Sequence, residues 1–198
     1  MNFQTAFLVL IGISSVSAGF DTIQCQQLPQ YDISTSIVGS NGVAFAQGNV
    51  DCIIANDADQ DFLNTDPPTV NDETCPFFDI TSWAYAGKIG TNVCPGCTGS
   101  GEGQSGSYNF CNVDLPSGVP SNVNTALVVF KSGSSKSGLT LVGFRVDLTD
   151  PTQCSGTWTS PFKQAPFNLK GSGAKAVSHI TIYFCKGKPF KSNTHQPN

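Results

Sequence analysis

The sequence predicts an all-β protein, an antiparallel β-sandwich of jelly-roll-like form stapled by disulfides. Three observations favour this class. Charged residues make up only 12% of the 198 residues, against ~25% in an average domain. Gly and Pro are frequent, with 20 and 12 copies. Short apolar runs alternate with turn sequences, and no long helical period is present outside the first residues. This length fits a single domain.

Each predicted strand is bounded by Gly, Pro or Asn residues. The first ends at residues 39–42, where Asn41-Gly42 is typical of a type I′ hairpin turn. Later runs alternate with a period of two, so that Val142, Phe144 and Val146 share one face. The predicted strands are residues 32–38, 42–46, 50–55, 80–89, 107–113, 126–131, 139–148 and 177–185.

Residues 1–18 predict a secretory signal peptide. Residues 6–13 are an apolar stretch, and Val16-Ser17-Ala18 is a small-residue cleavage site. The single β-sandwich domain, with an acidic N-terminal segment, is expected to span residues 19–190. A polar tail follows at 191–198. No later run reaches 18 apolar residues, so we expect no membrane span. The predicted location is secreted and extracellular.

The cysteine pattern agrees with export. An even number of cysteines in a secreted chain predicts up to four disulfides, although eight cysteines allow 105 pairings and the sequence does not choose among them. Cys94 and Cys97 have the CxxC spacing of redox sites, but no helix pattern follows them. We therefore predict structural disulfides. The candidates are Cys25, Cys52, Cys75, Cys94, Cys97, Cys111, Cys154 and Cys185.

Charge is distributed unevenly along the chain. Residues 1–87 carry ten acids and no Lys or Arg, whereas residues 88–198 carry ten bases and four acids. Complementary charge of this kind predicts head-to-tail association between copies. Eight acids fall between residues 51 and 79, and the alternating carboxylates there match the start of a calcium loop. The candidate metal ligands are Asp57, Asp59, Asp61 and Asp66.

The acidic segment departs from a complete EF-hand. Phe62 occupies the sixth position, where Gly is required, and Pro68 the twelfth, where Glu is required. Weak extracellular calcium binding and a solvated acidic loop therefore both remain open. No cofactor is required by any motif, and calcium is the one candidate ion.

No catalytic motif is present, and we predict that the protein is not an enzyme. Ser178 and His179 are adjacent, and neighbouring strand residues point to opposite faces, so we expect them not to form a catalytic pair. We expect a structural hydrogen bond for His179. The scattered basic residues give no nucleic-acid footprint. Aromatic residues in loop-like sequence, at 77–78, 162 and 167, are candidates either for the core or for a sugar-stacking face.

The order of several motifs resembles a module of secreted bacterial surface proteins, best known among those with a PEP-CTERM exosortase sorting tail. The resemblance rests on a W…GK strand at residues 82–88, an ALVLKSG-like strand at 126–133, SGTW at 155–158 and SHxxxY at 178–183, and it covers about 105 residues. It implies a secreted β-sandwich with no known catalysis. The Pro-Glu-Pro tail is absent, so covalent attachment by that route is not implied.

The sequence thus predicts a secreted, non-enzymatic structural or matrix protein. Its acidic segment is expected to meet cations, a mineral surface or neighbouring proteins. The expected partners are extracellular matrix proteins, glycans or a mineral surface, with no nucleic acid. A carbohydrate-binding module is the first alternative, and a small secreted hydrolase that uses two carboxylates is the second.

Overall fold

A computed structural model describes the frame of the protein. The described residues are 22–25, 36–44, 52–56, 83–89, 94–119, 121, 123, 125–133, 139–148, 150–167 and 173–185. The predicted signal peptide and the polar tail lie outside them. The described part is built from strands and contains no α-helix. Within it, no helix reaches the length and apolarity needed to cross a membrane.

The strands form two antiparallel sheets, which confirms the predicted fold class. A six-stranded sheet has the order β1-β3-β8-β7-β10-β4, and a four-stranded sheet has the order β2-β9-β6-β5. The strands are β1 (Thr22–Gln24), β2 (Ile37–Gly39), β3 (Cys52–Asn56), β4 (Trp83–Ile89), β5 (Thr98–Gly99), β6 (Ser105–Asn109), β7 (Thr125–Ser132), β8 (Leu139–Asp147), β9 (Ser155–Thr159) and β10 (Val177–Cys185).

The inner face of the six-stranded sheet packs against the four-stranded sheet. Val142, Phe144 and Val146 of β8 are buried there, as their alternation predicts. Phe130 contacts Phe144 and Trp158 edge-on, with ring centroids 5.6 and 5.7 Å apart. Because Trp158 belongs to β9 in the other sheet, this aromatic group joins the two layers. Burial of such apolar surface is the main source of stability in this class of fold.

The outer face of the six-stranded sheet carries buried apolar side chains as well. A second set of buried side chains lies on it, which we call the outer cluster. Because of the outer cluster, the long strands are buried on both faces. Many antiparallel sheets instead expose one face to solvent. The members of the outer cluster are Trp83, Leu127, Val129, Leu141, Tyr183 and Cys185.

Disulfides cross-link the frame, as predicted. Cys25, directly after β1, pairs with Cys52, the first residue of β3. Cys111 pairs with Cys154, which links the end of β6 to the approach to β9. Cys94 pairs with Cys97 within one turn. Cys185 is also disulfide-bonded, and Cys75 lies outside the described residues.

Two glycine-dependent features fix the four-stranded sheet. At the first hairpin the Gly42 N–H donates to the Gly39 carbonyl. Ser40 and Asn41 therefore form the centre of the turn. The predicted type I′ turn centred on Asn41-Gly42 is wrong. Gly42 follows at φ +78°, as in a type I turn closed by a left-handed residue. At Gly156 a Cβ would fall on the Val38 carbonyl, so this position requires glycine.

The strongest sequence patterns gave the correct strands, with shifted ends. The predicted run at 177–185 is β10, and 139–148 is β8 less one residue. Three strands had not been predicted. These are β1, β5 and β9, which are short or rich in Gly, Ser and Thr.

Candidate functional site

The predicted cation ligands lie outside the described part of the chain. Asp57, Asp59, Asp61 and Asp66 belong to residues 57–82, which connect β3 to β4. Calcium binding by these carboxylates therefore stays a prediction. Among the described residues, no group of three or more His, Cys, Asp or Glu side chains is close enough to hold a metal ion.

Ser178 and His179 lie closer together than the sequence predicted. The pairing of β10 with β7 shifts between Val177 and His179, so Ser178 is the extra residue of a β-bulge. A bulge disturbs the alternation of side chains between faces. As a result the Ser178 Oγ lies 3.3 Å from His179 Nδ1, a contact that strict alternation of side chains would not give.

The arrangement of this pair is nevertheless structural. The Ser178 hydroxyl donates to the Lys131 carbonyl at 3.1 Å, and a hydroxyl has one proton to give. With that proton on the carbonyl, a hydrogen bond between the two side chains requires the tautomer in which His179 Nδ1 carries the hydrogen. A nucleophilic pair needs the opposite polarity, in which histidine takes the serine proton. The Ser178 hydroxyl therefore ties the bulge to β7, and a structural role for His179 stays a prediction.

The CxxC pair closes a turn. The Cys97 N–H donates to the Cys94 carbonyl at 3.0 Å, and the chain leads from Cys97 directly into β5. Gly96 adopts φ +80°, where a Cβ would collide with the backbone of Asn112. Redox CxxC motifs owe their low thiol pKa to the N-terminus of a helix. Here a strand follows, which favours the predicted structural role.

Two of the candidate sugar-stacking aromatics are core residues. Phe162 and Phe167 are 0% and 4% exposed and pack edge-on, with centroids 4.9 Å apart. Neither offers a ring face to a sugar, so the core alternative is correct for both. Residues 77–78 lie outside the described range. Within that range, the large apolar side chains that are well exposed are Val43 and Leu115, neither of which is aromatic.

The remaining polar groups with altered properties serve the frame. The Tyr108 hydroxyl lies 3.3 Å from the Gln153 carbonyl, and burial raises the pKa of Tyr108. Burial likewise raises the pKa of Tyr183, with a smaller contribution from Tyr85. Asp150 accepts from the Thr152 hydroxyl and N–H at 2.6 and 2.9 Å, and these bonds lower the pKa of Asp150. Each group holds a loop or a sheet contact in place.

Basic side chains are concentrated on the outer face of the six-stranded sheet. Lys131 follows Leu127 and Val129 on the same face of β7, and it is paired with His179 across the strands. Arg145 occupies the equivalent face of β8, and Lys88 that of β4, opposite Thr181. Lys131 is only 7% exposed. One acid, Asp147, lies on this face at the end of β8. Sequence patterning did not reveal this grouping, because it arises from strand order.

The described residues thus hold structural hydrogen bonds, disulfides and a basic sheet face. Comparison with protein-family models, with curated proteins and with solved structures gives no match in any of the three.

Proposed function

We propose that this protein is a secreted, non-enzymatic component of an extracellular matrix. Its acidic segment would meet cations, a mineral surface or basic neighbours. The observation that carries the proposal is the concentration of fixed negative charge in one segment of a cross-linked β-frame. Residues 57–82 contain seven acids and no Lys or Arg.

The cross-linked frame supports an extracellular role. Disulfides persist in oxidising surroundings and are rare where thiols are kept reduced. Three described pairs, together with the bonded Cys185, indicate such surroundings. A frame of this kind resists unfolding without depending on a bound ligand, which suits a long-lived structural component.

The chemistry of the described side chains also favours a structural role. The one serine–histidine contact has the polarity of a structural hydrogen bond, since Ser178 donates to a backbone carbonyl. Burial moves the pKa of Tyr108 and Tyr183 further above physiological pH, so neither side chain supplies a phenolate. The sequence adds to these groups the carboxylate-rich segment. Clustered carboxylates bind calcium with a Kd on the order of 10⁻⁴–10⁻³ M in extracellular modules.

Calorimetric titration of the oxidised protein with calcium tests the proposal. We expect saturable binding below about 10 mM, ten times the weak end of the extracellular range. Binding should weaken at least several-fold in Asp57→Asn/Asp59→Asn. The matched control is Glu102→Gln/Asp114→Asn, which removes the same charge from exposed positions elsewhere. That control should bind calcium like the wild type.

Two results would count against the cation-binding role. One is the absence of any heat of binding up to about 10 mM calcium. The other is equal weakening in both double variants, which would assign the effect to net charge instead of to the segment. The matrix role is tested separately, by asking whether the protein is retained in an insoluble extracellular fraction or diffuses freely in the medium.

A further inference from the structure

One of the described disulfides lies at the surface. Cys111 is exposed and Cys154 is half-buried, and their bond joins the turn after β6 to the residue before β9. By contrast, Cys25 and Cys52 are 0% and 2% exposed. Thiol–disulfide exchange begins when a thiolate reaches a disulfide sulfur, so access decides which bond reacts. The Cys111–Cys154 bond is therefore far more open to a thiol in solution than the buried bond.

The two sulfurs of the surface bond differ in their surroundings. Cys111 lies in a turn whose next residue, Asn112, is exposed as well. The Cys154 side chain packs against the core, and its Sγ lies 3.0 Å from the Pro151 carbonyl oxygen. An incoming thiolate therefore meets Cys111 Sγ first, and Cys154 is the leaving group. Once Cys154 is protonated, its S–H has the Pro151 carbonyl as an acceptor.

Backbone hydrogen bonds hold this part of the sheet independently of the disulfide. β6 and β9 pair in register over residues 105–109 and 155–159. Beyond the last pair, the Phe110 N–H donates to the Cys154 carbonyl at 2.9 Å. The Cys111 N–H donates to Asn109 Oδ1 at 3.0 Å. These bonds do not involve sulfur, so exchange at Cys111 should leave the two strands paired.

The CxxC pair lies close by but is less accessible. Gly96 approaches Asn112 so closely that a Cβ would collide with its backbone, which places both disulfides at the same end of the four-stranded sheet. Cys94 is 5% exposed, and Cys97 is half-buried. Neither half of this pair is as exposed as Cys111, so an external thiol should react more slowly here.

We propose that Cys111 is a thiol-exchange site, at which the protein takes up low-molecular-weight thiols as a mixed disulfide. The thiolate attacks Cys111 Sγ and forms a new sulfur–sulfur bond. The Cys111–Cys154 bond breaks, and Cys154 leaves as a thiolate that takes a proton from water. One disulfide is lost and one is formed, so the step needs no oxidant. This inference does not depend on calcium binding or on a matrix role.

Incubation of the native, oxidised protein with reduced glutathione at neutral pH tests the proposal. Acid stops the exchange at early times, free thiols are alkylated, and the peptides are mapped without reduction. We expect glutathione on Cys111 and the alkyl group on Cys154. Cys25 and Cys52 are the internal control. Their bond should open on the order of ten-fold more slowly, because the thiol reaches it only when the frame opens.

Two matched double variants separate the neighbouring disulfides. Cys94→Ser/Cys97→Ser should take up glutathione at Cys111 as fast as the wild type does. Cys111→Ser/Cys154→Ser should take up none at the same early times. Near-UV circular dichroism checks that each variant is folded. The wild-type peptide map decides the question without the variants, because it identifies the modified sulfur directly.

Each outcome decides for or against the proposal. Glutathione on Cys111 with an alkylated Cys154, in folded protein, supports it. Glutathione on Cys154 or Cys97 in place of Cys111 would overturn it. Opening of the Cys25–Cys52 bond at the same rate would overturn it as well, since exchange would then follow unfolding. So would the absence of any mixed disulfide in the folded protein.

Discussion

Replacement of Gly156 by alanine tests the close approach of β2 and β9. A Cβ at this position would fall on the Val38 carbonyl oxygen, 2.7 Å from the Tyr108 hydroxyl and 2.9 Å from the Gly39 Cα. Two of these atoms belong to the backbone of β2, which cannot rotate away as a flexible side chain would. We therefore expect Gly156→Ala to displace β2 from β9 and to disturb the packing of Tyr108.

The expected loss of stability follows from two contributions. Overpacking against fixed atoms costs about 1–3 kcal/mol. The Tyr108 hydroxyl lies 3.3 Å from the Gln153 carbonyl and 3.5 Å from the Val38 carbonyl, and losing a hydrogen bond of this kind costs about 1 kcal/mol. Together the free energy of unfolding should fall by about 2–4 kcal/mol.

Gly133→Ala is the matched control. It makes the same chemical change at the end of β7, where a Cβ would meet nothing within 4 Å. Such a change is expected to be neutral or to stabilise by up to about 1 kcal/mol, because alanine restricts the unfolded chain. Urea denaturation of the oxidised proteins, followed by tryptophan fluorescence, measures both variants. If Gly156→Ala came within about 0.5 kcal/mol of Gly133→Ala, the ordinary scatter of surface substitutions, the inferred close approach would be wrong.

Three further predictions concern protonation, cross-links and the serine–histidine pair. The buried tyrosines Tyr108 and Tyr183 have a raised pKa, whereas unfolded tyrosine ionises near 10. The free energy of unfolding should therefore fall as the pH rises above about 10, because the unfolded tyrosines lose their protons first. Tyrosinate absorbance from these two residues should appear only on unfolding. Their ionisation near pH 10 in the folded protein would contradict the prediction. Loop-closure entropy predicts that replacing Cys111 and Cys154 by alanine, which opens a separation of 43 residues, costs about 4 kcal/mol. The same change at Cys94 and Cys97, a separation of three, should cost about 2 kcal/mol in parallel urea titrations; equal losses would refute the loop-length argument. Ser178→Ala should lose about 1 kcal/mol. A fluorophosphonate probe, which reacts with nucleophilic serines, should leave Ser178 unlabelled. If the protein were labelled and Ser178→Ala were not, Ser178 would be a nucleophile and its structural role would be refuted.

The sequence predicted the strands in which apolar and polar residues alternate. In β8 and β10 apolar residues recur at every second position because one face meets the core, and those strands were found within a residue. β5 has only Thr98 and Gly99, both exposed, so it carries no apolar signal. β9 holds a single large apolar residue, Trp158, between small or polar ones. Such strands are stabilised by hydrogen bonds to neighbouring strands. Because those neighbours are distant in the sequence, local composition does not predict them.

The Ser178–His179 contact shows the same limit at the level of side chains. Strict alternation sends consecutive residues to opposite faces. The bulge that brings these two together depends on how β10 registers against β7, and register is a property of two distant segments. The basic outer face of the six-stranded sheet could not be predicted from the sequence either. Its members share one face only because of the strand order, and they are Lys88, Lys131, Arg145 and His179. The acidic segment, by contrast, was visible as composition alone.

Strand order also changes the meaning of the charge imbalance. From the sequence, an acidic first part and a basic second part predict head-to-tail association of two copies. The strands β3 and β4, which flank the acidic segment in the sequence, lie on either side of β8, β7 and β10, whose outer face carries basic side chains. A tethered segment competes at an effective concentration in the millimolar range, far above the concentration of a second copy in dilute solution. Opposite charges along one chain can therefore be neutralised within that chain, and the head-to-tail association expected from the sequence stays a prediction.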